Sequence, residues 1–279
     1  MIGTPVVTVV QARSASTRLP SKVLLPLGGQ TVLERLLERV QRARLRGVVV
    51  LATTADPRDD RFEGLACAAG VLCYRGHATD LLDRHYQAAR LLGAGHVVKI
   101  PSDCPLIDPA VIDRVLGTYF EAGCFDYVSN LHPPTYPDGN DVEIASIRAL
   151  EAAWREAAEP EEREHTTPFL WRRPERFRSG NVRWEAGVDC SQSHRVVLDY
   201  REDYDAIAAV FDGLHGTTPW FGVADVVRFL DEHPEIAALN AHRRGDSWYA
   251  RTSPEPHAIP GALAQAVSAG APGSEDSDL

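Results

Sequence analysis

The sequence contains no apolar run that approaches the roughly 18 residues of a membrane-spanning helix, although 44% of its 279 residues are hydrophobic. Its N-terminus lacks the basic start, long apolar stretch and cleavage site of a signal peptide. The five cysteines are odd in number and include no CxxC pair, which predicts reduced thiols rather than a disulfide framework or a zinc site. We therefore expect a cytoplasmic protein that does not bind membranes.

Acidic residues are absent from the start of an otherwise acidic chain. The formal net charge is −10, yet no Asp or Glu precedes Glu34. Arg13, Arg18 and Lys22 therefore give the first 33 residues a charge of +3. Because nucleic-acid binding normally requires an extended basic face, the overall charge argues against it. The local positive charge instead predicts a small anionic ligand.

Short apolar segments rich in β-branched residues alternate with segments of helical periodicity in the first half of the chain. Thr31 with Glu34 forms a capping box, and Asp108 before Pro109 marks a second helix start. The alternation predicts an α/β fold with a mainly parallel sheet sandwiched by helices, and ligands at the carboxyl ends of the strands. The predicted strands are 5–11, 48–54, 71–74 and 96–100, and the predicted helices are 31–46, 62–70, 79–95 and 109–123.

The second half is less regular. The periodicity predicts a strand over 141–146, helices over 147–159 and 160–173, a strand followed by a helix over 195–214, and short helices over 223–244. From about residue 250 onwards, Pro, Ala, Gly, Ser and acidic residues dominate. This composition predicts a disordered tail over 250–279, because it cannot bury enough apolar surface to fold.

The segment QARSASTRLPSKVLLPLGG, residues 11–29, follows the first predicted strand. It does not contain the Walker A pattern GxxxxGK[ST]. Arginine makes paired contacts with phosphate oxygens, and lysine supplies a mobile point charge. Three such cations suit a nucleoside triphosphate, while a solvated surface loop is the alternative.

Six segments, in order over residues 5–212, resemble the spore-coat polysaccharide (SpsF-type) cytidylyltransferases, relatives of the acylneuraminate and 3-deoxy-manno-octulosonate cytidylyltransferases. They are QARSASTRLPSKVL, RGHATDLLDRH, KIPSDCPLIDP, YPDGNDVEIAS, EREHTTPF and VVLDYREDYDAI. The resemblance implies one glycosyltransferase-A-like nucleotidyltransferase domain over residues 1–249. It also implies Mg²⁺, a homodimer, and nucleotide transfer from CTP to a sugar, sugar-acid or sugar-phosphate acceptor, with release of pyrophosphate.

The resemblance also implies roles for individual residues. Arg13, Arg18 and Lys22 would be the catalytic cations that hold the triphosphate. Asp103 and Asp199 would bind magnesium, although Asp199 could instead pair with a residue of the following helix as a cap. The implied nucleotide-binding residues are Gln11, Ala12, Arg13, Ser16, Thr17, Arg18, Lys22, Gly76, Asp80, Arg84 and Asp103.

Some of these positions also have structural explanations. Asp80 could be a helix N-terminal carboxylate, and Glu202 is the residue that would form a cap with Asp199. A cap is a poor explanation for Asp103, because Asp108 is better placed for it. The implied acceptor-binding residues are Gly139, Asp141, Glu143, Arg163, Glu164 and His165. For the first three the alternative is a strand edge, and for the last three it is a subunit interface.

The sequence departs from the family pattern at several glycines. Ala15 and Ser21 replace glycines in the basic segment, and Ser102 replaces the glycine before Asp103. Asn140 stands where an aliphatic residue is usual. Because glycine permits close backbone approach to phosphate, these changes bear on how the triphosphate fits.

The sequence is also compatible with two other functions. The first is a nucleotide-sugar-dependent glycosyltransferase, whose metal motif Asp-x-Asp occurs here only at Asp203/Asp205 and Asp276/Asp278. The first pair falls in a predicted helix and the second in the tail, so neither follows a strand. The second alternative is a catalytically silent nucleotide-binding module, which the lost glycines favour.

Overall fold

Residues 4–246, the part of the chain that this computed structural model describes, contain nine strands and ten α-helices. The strands β1–β9 are Val6–Gln11, Pro26–Leu27, Gln30–Thr31, Val48–Thr54, Leu72–Gly76, His96–Pro101, Tyr127–Ser129, Glu143–Ser146 and Ser179–Asn181. The helices α1–α10 are Val32–Val40, Arg61–Ala68, Leu81–Leu91, Pro109–Ala122, Ile147–Glu156, Pro160–His165, Pro168–Trp171, Arg201–His215, Val223–Glu232 and Pro234–Ala237. The tail predicted over 250–279 lies outside the described residues.

A seven-stranded sheet in the order β5-β4-β1-β6-β8-β7-β9 forms the centre of the molecule. The strands β5, β4, β1 and β6 run parallel, β8 is antiparallel to both of its neighbours, and β9 is parallel to β7. The predicted α/β class and mainly parallel sheet are therefore confirmed. None of the helices in the described part of the chain has the length and apolar character needed to cross a membrane.

Both faces of the sheet are covered, because alternate residues of the central strands point to opposite sides. Val10 of β1 packs with α1 and α4, whereas Val9 packs in a second core with α3 and α5. A third apolar cluster joins α8 and α9 through Phe211 and Phe229. Burial on both faces explains why these strands are continuous apolar runs in the sequence.

The predicted helix caps are confirmed at α1 and α4. The Glu34 amide donates to Thr31 Oγ1 at 3.2 Å, and the Thr31 amide donates to Glu34 Oε2 at 2.7 Å. Asp108 Oδ1 accepts from the Ala110 amide at 2.8 Å, while its Oδ2 accepts from the Val223 amide, also at 2.8 Å. Asp108 therefore caps two helices, α4 and α9.

Three predicted elements differ from the structure. The helix predicted over 31–46 already ends at Val40, and the one over 160–173 is divided into α6 and α7 at Thr166, whose φ is 75°. The strand predicted at the start of 195–214 is wrong: only Arg195 makes a single bridge. The amides of Val196 and Leu198 in this segment donate to two separate loops instead of to one neighbouring strand.

The short strands β7 and β9 were not predicted. Each has only three residues, too few for a two-residue periodicity to stand out in the sequence. They extend the sheet beyond β8 and thereby support one side of the functional site.

Candidate functional site

The basic segment leaves the carboxyl end of β1 and folds back on itself. The Ser14 amide donates to Asp59 Oδ1 at 2.8 Å, and the Ser21 amide donates to the Ser14 carbonyl at 3.1 Å. Ser21 lies in the left-handed region with φ 56°, and a single turn of 3₁₀ helix begins at Lys22. This reversal directs the Lys22 side chain toward the carboxyl ends of the strands.

Lys22 Nζ lies between the two predicted metal ligands. It donates to Asp103 Oδ2 at 3.0 Å, to Asp199 Oδ1 at 2.8 Å and to the Leu198 carbonyl at 2.6 Å. Asp103 follows β6 and Asp199 precedes α8, so two distant segments meet at one ammonium group. Burial lowers the pKa of Lys22, but the two carboxylates more than offset this and hold it above its usual value.

A buried arginine fixes the segment that carries Asp199. The Val196 amide donates to the Asp138 carbonyl at 2.7 Å, and the Leu198 amide donates to the Asp103 carbonyl at 2.7 Å. Arg195 Nε donates to Asp203 Oδ1, and Arg195 Nη1 to Asp138 Oδ2, each at 2.8 Å. The irregular segment is therefore held in place by loop contacts rather than by a sheet ladder.

The alternative role of Asp199 as a helix cap with Glu202 is wrong. Asp203 Oδ2 accepts from the amides of Asp199 and Tyr200, both at 3.0 Å, at the start of α8. Glu202 instead pairs with Arg243 at 2.8 Å. The Asp199 carboxylate faces Lys22 and also accepts from Arg18 at 2.7 Å.

A cavity of about 450 Å³, here called the nucleotide pocket, is lined by most of the residues that were predicted to bind CTP. Four cations line it, Arg13, Arg18, Lys22 and Arg84, against the carboxyl groups of Asp103 and Glu164. The remaining predicted residues that line it are Gln11, Ala12, Ser16, Thr17 and His165.

Two of these cations lack carboxylate partners. Arg13 Nη1 and Arg84 Nη2 both donate to the Ala78 carbonyl, at 3.4 and 3.3 Å, and neither forms a salt bridge within residues 4–246. Burial, together with the charge of Arg13, lowers the pKa of Arg84 to about 10. Two guanidinium groups that both contact the Ala78 carbonyl and form no salt bridge among the described residues favour binding of an anion between them.

A second cavity of about 220 Å³, here called the acidic pocket, adjoins the first. Besides Asp103 and Asp199, it is lined by the carboxyl groups of Asp138, Asp141, Glu143 and Asp246 and by the cations Arg18 and Lys99. The two pockets share Gln11, Arg18, Asp103 and His165. These four residues mark the boundary where ligands in the two pockets would meet.

The floor of the acidic pocket is a hydrogen-bonded carboxylate. Glu143 is buried in β8 and accepts from Lys99 Nζ at 2.5 Å, from the Tyr127 hydroxyl at 2.6 Å and from the Thr167 hydroxyl at 2.5 Å. Burial raises the pKa of Glu143, but Lys99 and the hydroxyl donors outweigh it, so the pKa falls below its usual value. Glu143 is therefore ionised at neutral pH.

The carboxyl groups above this floor are less well neutralised. Burial, only partly offset by Arg195, raises the pKa of Asp138 to about 7. Burial, reinforced by the charges of Asp138 and Asp103, raises the pKa of Asp141 well above its usual value. Burial and the nearby Lys99 lower the pKa of His165 to about 4, so this imidazole is neutral at pH 7.

Four of the predicted site residues do not line either pocket. Asp80 Oδ1 caps α3 through the Asp83 amide at 2.8 Å, and Asp80 Oδ2 accepts from Arg163 Nε at 2.8 Å. Gly139 has φ 115° and lies against the backbone of Val196, and Gly76 lies against the Tyr74 ring. These positions have structural explanations, and their binding roles stay predictions.

Sequence reasoning did not single out Lys99, Asp138 and Asp246 as site residues. The first lies inside the strand β6, and the other two lie in loops far apart in sequence. Two signals were available: Asp138 belongs to the segment YPDGNDVEIAS, within which Asp141 and Glu143 were chosen, and Lys99 begins the segment KIPSDCPLIDP, within which Asp103 was chosen.

The Asp-x-Asp pair that a glycosyltransferase would require at its metal site lies elsewhere. Asp203 is fully buried against Arg195, and Asp205 pairs at the surface of α8 with Arg201 at 2.9 Å. Neither residue lines the two pockets within residues 4–246. The other pair, Asp276/Asp278, lies outside the described part of the chain.

Comparison with known proteins gives the family. The sequence profile of the family Cytidylyltransferase matches residues 7–212. The spore coat polysaccharide biosynthesis protein SpsF of Bacillus subtilis is 30% identical over 244 residues, covering 82% of this chain and 95% of that protein. The solved structure of a cytidylyltransferase from Leptospira borgpetersenii is 31% identical with a TM-score of 0.79, covering 84% of this chain and 97% of that one.

A more distant structure supports the fold. A CMP:2-keto-3-deoxy-manno-octonic acid synthetase complexed with CTP has a TM-score of 0.56 at 17% identity, covering 75% of this chain and 99% of that one. The family profile spans most of the chain, and the fold is the nucleotidyltransferase fold that the resemblance implied. The chain therefore belongs to the cytidylyltransferase family, whose members are CTP-dependent nucleotidyltransferases.

Proposed function

We propose that this enzyme transfers a cytidylyl group from CTP to a sugar, sugar-acid or sugar-phosphate acceptor and releases pyrophosphate. The observation that carries this proposal is the contact between two pockets of opposite charge at Asp103. The nucleotide pocket suits the triphosphate, and the acidic pocket beside it suits a smaller ligand. The name of the B. subtilis relative, a spore coat polysaccharide biosynthesis protein, supports a sugar acceptor.

The triphosphate would occupy the cation-lined side of the nucleotide pocket. Arg13 and Arg84 have no carboxylate partners in the described residues, so phosphate oxygens can take their free donors. Arg18 and Lys22 lie nearer the boundary with the acidic pocket, where the α-phosphate must meet the acceptor. Charge-assisted bonds of this kind stabilise negative charge as it moves onto the leaving pyrophosphate.

The site also fits a magnesium ion. Asp103 and Asp199 converge on one cation, because Lys22 Nζ lies 3.0 and 2.8 Å from their oxygens. No group of three or more His, Cys, Asp or Glu side chains in residues 4–246 could hold a metal, so phosphates and water would complete the coordination. When bound, Mg²⁺ would neutralise phosphate charge at the reacting phosphorus.

The reaction would be an in-line displacement. An acceptor oxygen forms a bond to the α-phosphorus while the bond from that phosphorus to the bridging oxygen breaks, and pyrophosphate leaves with the electron pair. A hydroxyl acceptor releases its proton to solvent water, whereas a phosphate acceptor attacks through an oxygen that is already ionised. The protein contributes mainly by positioning the two ligands and neutralising charge through Arg18 and Lys22.

The test measures pyrophosphate release from each of the four NTPs with a panel of sugars, sugar acids and sugar phosphates. We expect CTP to be the preferred nucleotide. Asp103→Asn should lower kcat by on the order of a hundredfold, because it removes a charge from the metal site. Asp212→Asn, an exposed carboxylate on α8, is the matched control and should keep the wild-type rate. Wild-type turnover and magnesium requirement in Asp103→Asn would contradict the proposed site.

A further inference from the structure

Arg18 is the cation of the basic segment that lines both pockets. Its guanidinium has two contacts among residues 4–246: Nη2 donates to Asp199 Oδ1 at 2.7 Å, and the central carbon lies over the Tyr200 ring, 5.5 Å from the centroid. The side chain is 34% exposed. Because a long, partly exposed side chain loses rotamer freedom when it binds, contacts that fix Arg18 beforehand should strengthen phosphate binding.

The two contacts of Arg18 differ in what they compete with. Asp199 is also a proposed magnesium ligand, so its carboxylate cannot serve the metal and Arg18 equally. The Tyr200 ring offers no ligand atom at its face to a metal or a phosphate. It contacts Arg18 through its π electrons, which leaves the N–H donors of the guanidinium free for phosphate oxygens. The ring is therefore the contact that can persist when ligands bind.

The Tyr200 ring is itself fixed by residues near the end of the described chain. Its hydroxyl donates to Asp246 Oδ2 at 3.0 Å, and the central guanidinium carbon of Arg243 lies 3.8 Å from its centroid. Arg243 Nε in turn donates to Glu202 Oε1 at 2.8 Å. Tyr200 lines neither pocket within residues 4–246, so its ring can act on a ligand only through another side chain.

We propose that Tyr200 is a positioning residue, whose ring holds the Arg18 guanidinium at the boundary between the two pockets while Asp246 and Arg243 hold the ring. The inference rests on the proposed function, which assigns Arg18 to the phosphates. Asp246 and Arg243 both lie beyond residues 7–212, which the family profile matches. The last residues of the described chain thereby take part in phosphate binding.

The test is a double-mutant cycle on CTP binding, measured by calorimetry without a divalent cation. Tyr200→Leu should raise the Kd for CTP about fivefold, a difference of ~1 kcal/mol, which is the size of a cation–π contact. In the Arg18→Ala background the same change should alter the Kd by less than about twofold, because the side chain that Tyr200 positions is gone. Tyr200→Phe keeps the ring and loses only the bond to Asp246, so its Kd should lie between those of the wild type and Tyr200→Leu.

Tyr204→Leu is the matched control, because Tyr204 has the same kinds of contact away from the site. Its hydroxyl donates to the Pro26 carbonyl at 2.7 Å, and the central guanidinium carbon of Arg201 lies 5.1 Å from its ring centroid. Tyr204 lines neither pocket within residues 4–246, so Tyr204→Leu should keep the wild-type Kd. A general loss of structure in Tyr200→Leu would weaken binding in the Arg18→Ala background as well.

An equal effect of Tyr200→Leu with and without Arg18, or a Kd unchanged from the wild type, overturns the positioning role. Pyrophosphate release tests the proposed function separately, because CTP binding without turnover of any acceptor contradicts the transfer reaction and leaves the cycle intact. If the wild type binds no NTP, the proposed function fails and the cycle is repeated with inorganic pyrophosphate. Non-additive effects on pyrophosphate binding would still support the positioning role, whereas additive effects or no binding would overturn it.

Discussion

Ser21 adopts a conformation that favours glycine at the turn before Lys22. Its φ of 56° lies in the left-handed region. This conformation costs a non-glycine residue ~1–2 kcal/mol of folding free energy. Glycine avoids that cost, but the greater flexibility of its unfolded chain lowers the free energy of unfolding by ~0.5–1 kcal/mol. We expect Ser21→Gly to leave the free energy of unfolding unchanged or raise it by up to ~1 kcal/mol. Ser21→Val should lower it by ~1–3 kcal/mol because a β-branched residue strains this region further. Urea unfolding measures both, and a valine variant as stable as wild type would contradict the account.

The sequence predicted the residues of the nucleotide pocket better than those of the acidic pocket. Arg13, Arg18 and Lys22 lie within ten residues of one another, so their shared charge was visible without a structure. Asp141 and Asp246 are 105 positions apart, and nothing in the sequence indicates that they line one cavity. Whether a carboxyl group has a partner depends on tertiary contacts, and so could not be predicted.

At the scale of elements, Asp108 joins two helices that are far apart in sequence. Its two oxygens accept from the first-turn amides of α4 and α9, each at 2.8 Å. One cap contributes ~1 kcal/mol, so Asp108→Ala should lower the free energy of unfolding by ~2 kcal/mol. Ser146→Ala is the single-cap control, since within residues 4–246 Ser146 Oγ accepts only from the Ala149 amide of α5. Equal losses in the two variants, measured by urea unfolding, would show that the second cap contributes nothing.

The predicted elements were correct where hydrogen bonds are local or where a strand is buried on both faces. Strands β1, β4 and β6 and helices α1, α3 and α4 all appear in the structure, because their patterns arise from burial. The segment from Arg195 to Asp199 has the same apolar pattern, yet it is not a strand. Its Val196 and Leu198 amides donate to the Asp138 and Asp103 carbonyls, and partners in two different loops cannot be inferred from periodicity.

For the molecule as a whole, one buried histidine makes stability depend on pH. His85 Nδ1 lies 2.8 Å from the Leu81 carbonyl, and its Nε2 has no partner among residues 4–246. Burial lowers the pKa of His85 to about 3, from 6.5 in the unfolded chain. Between pH 6.5 and pH 3 only the unfolded chain binds a proton at His85. The contribution of the neutral His85 side chain to the free energy of unfolding is therefore complete above pH 6.5 and is lost as the pH falls toward 3.

This linkage gives a measurable slope. The free energy of unfolding attributable to His85 should fall by ~1.4 kcal/mol per pH unit below pH 6. Other groups act on the same curve, since His165 with a pKa of about 4 adds to the slope and Asp138 with a pKa of about 7 opposes it. We therefore compare wild type with His85→Gln by urea unfolding from pH 7 to pH 4.5, where the variant should show the shallower slope. Parallel curves would mean that His85 titrates normally in the folded protein.

The ammonium of Lys22 between Asp103 and Asp199 would make this lysine an internal competitor of the metal ion proposed for these two carboxylates. In the free enzyme Lys22 pairs with both carboxylates, so a divalent ion arriving alone would have to displace it. CTP removes that obstacle, because its phosphates offer Lys22 other acceptors, and metal and nucleotide should therefore bind cooperatively. Calorimetry with Mg²⁺ in the absence of CTP should show weak binding to the wild type and tighter binding to Lys22→Gln. Equal Mg²⁺ affinities in the two proteins would mean that the lysine does not compete. The residue that organises the site before the nucleotide arrives would thus also keep a metal ion from occupying it too early.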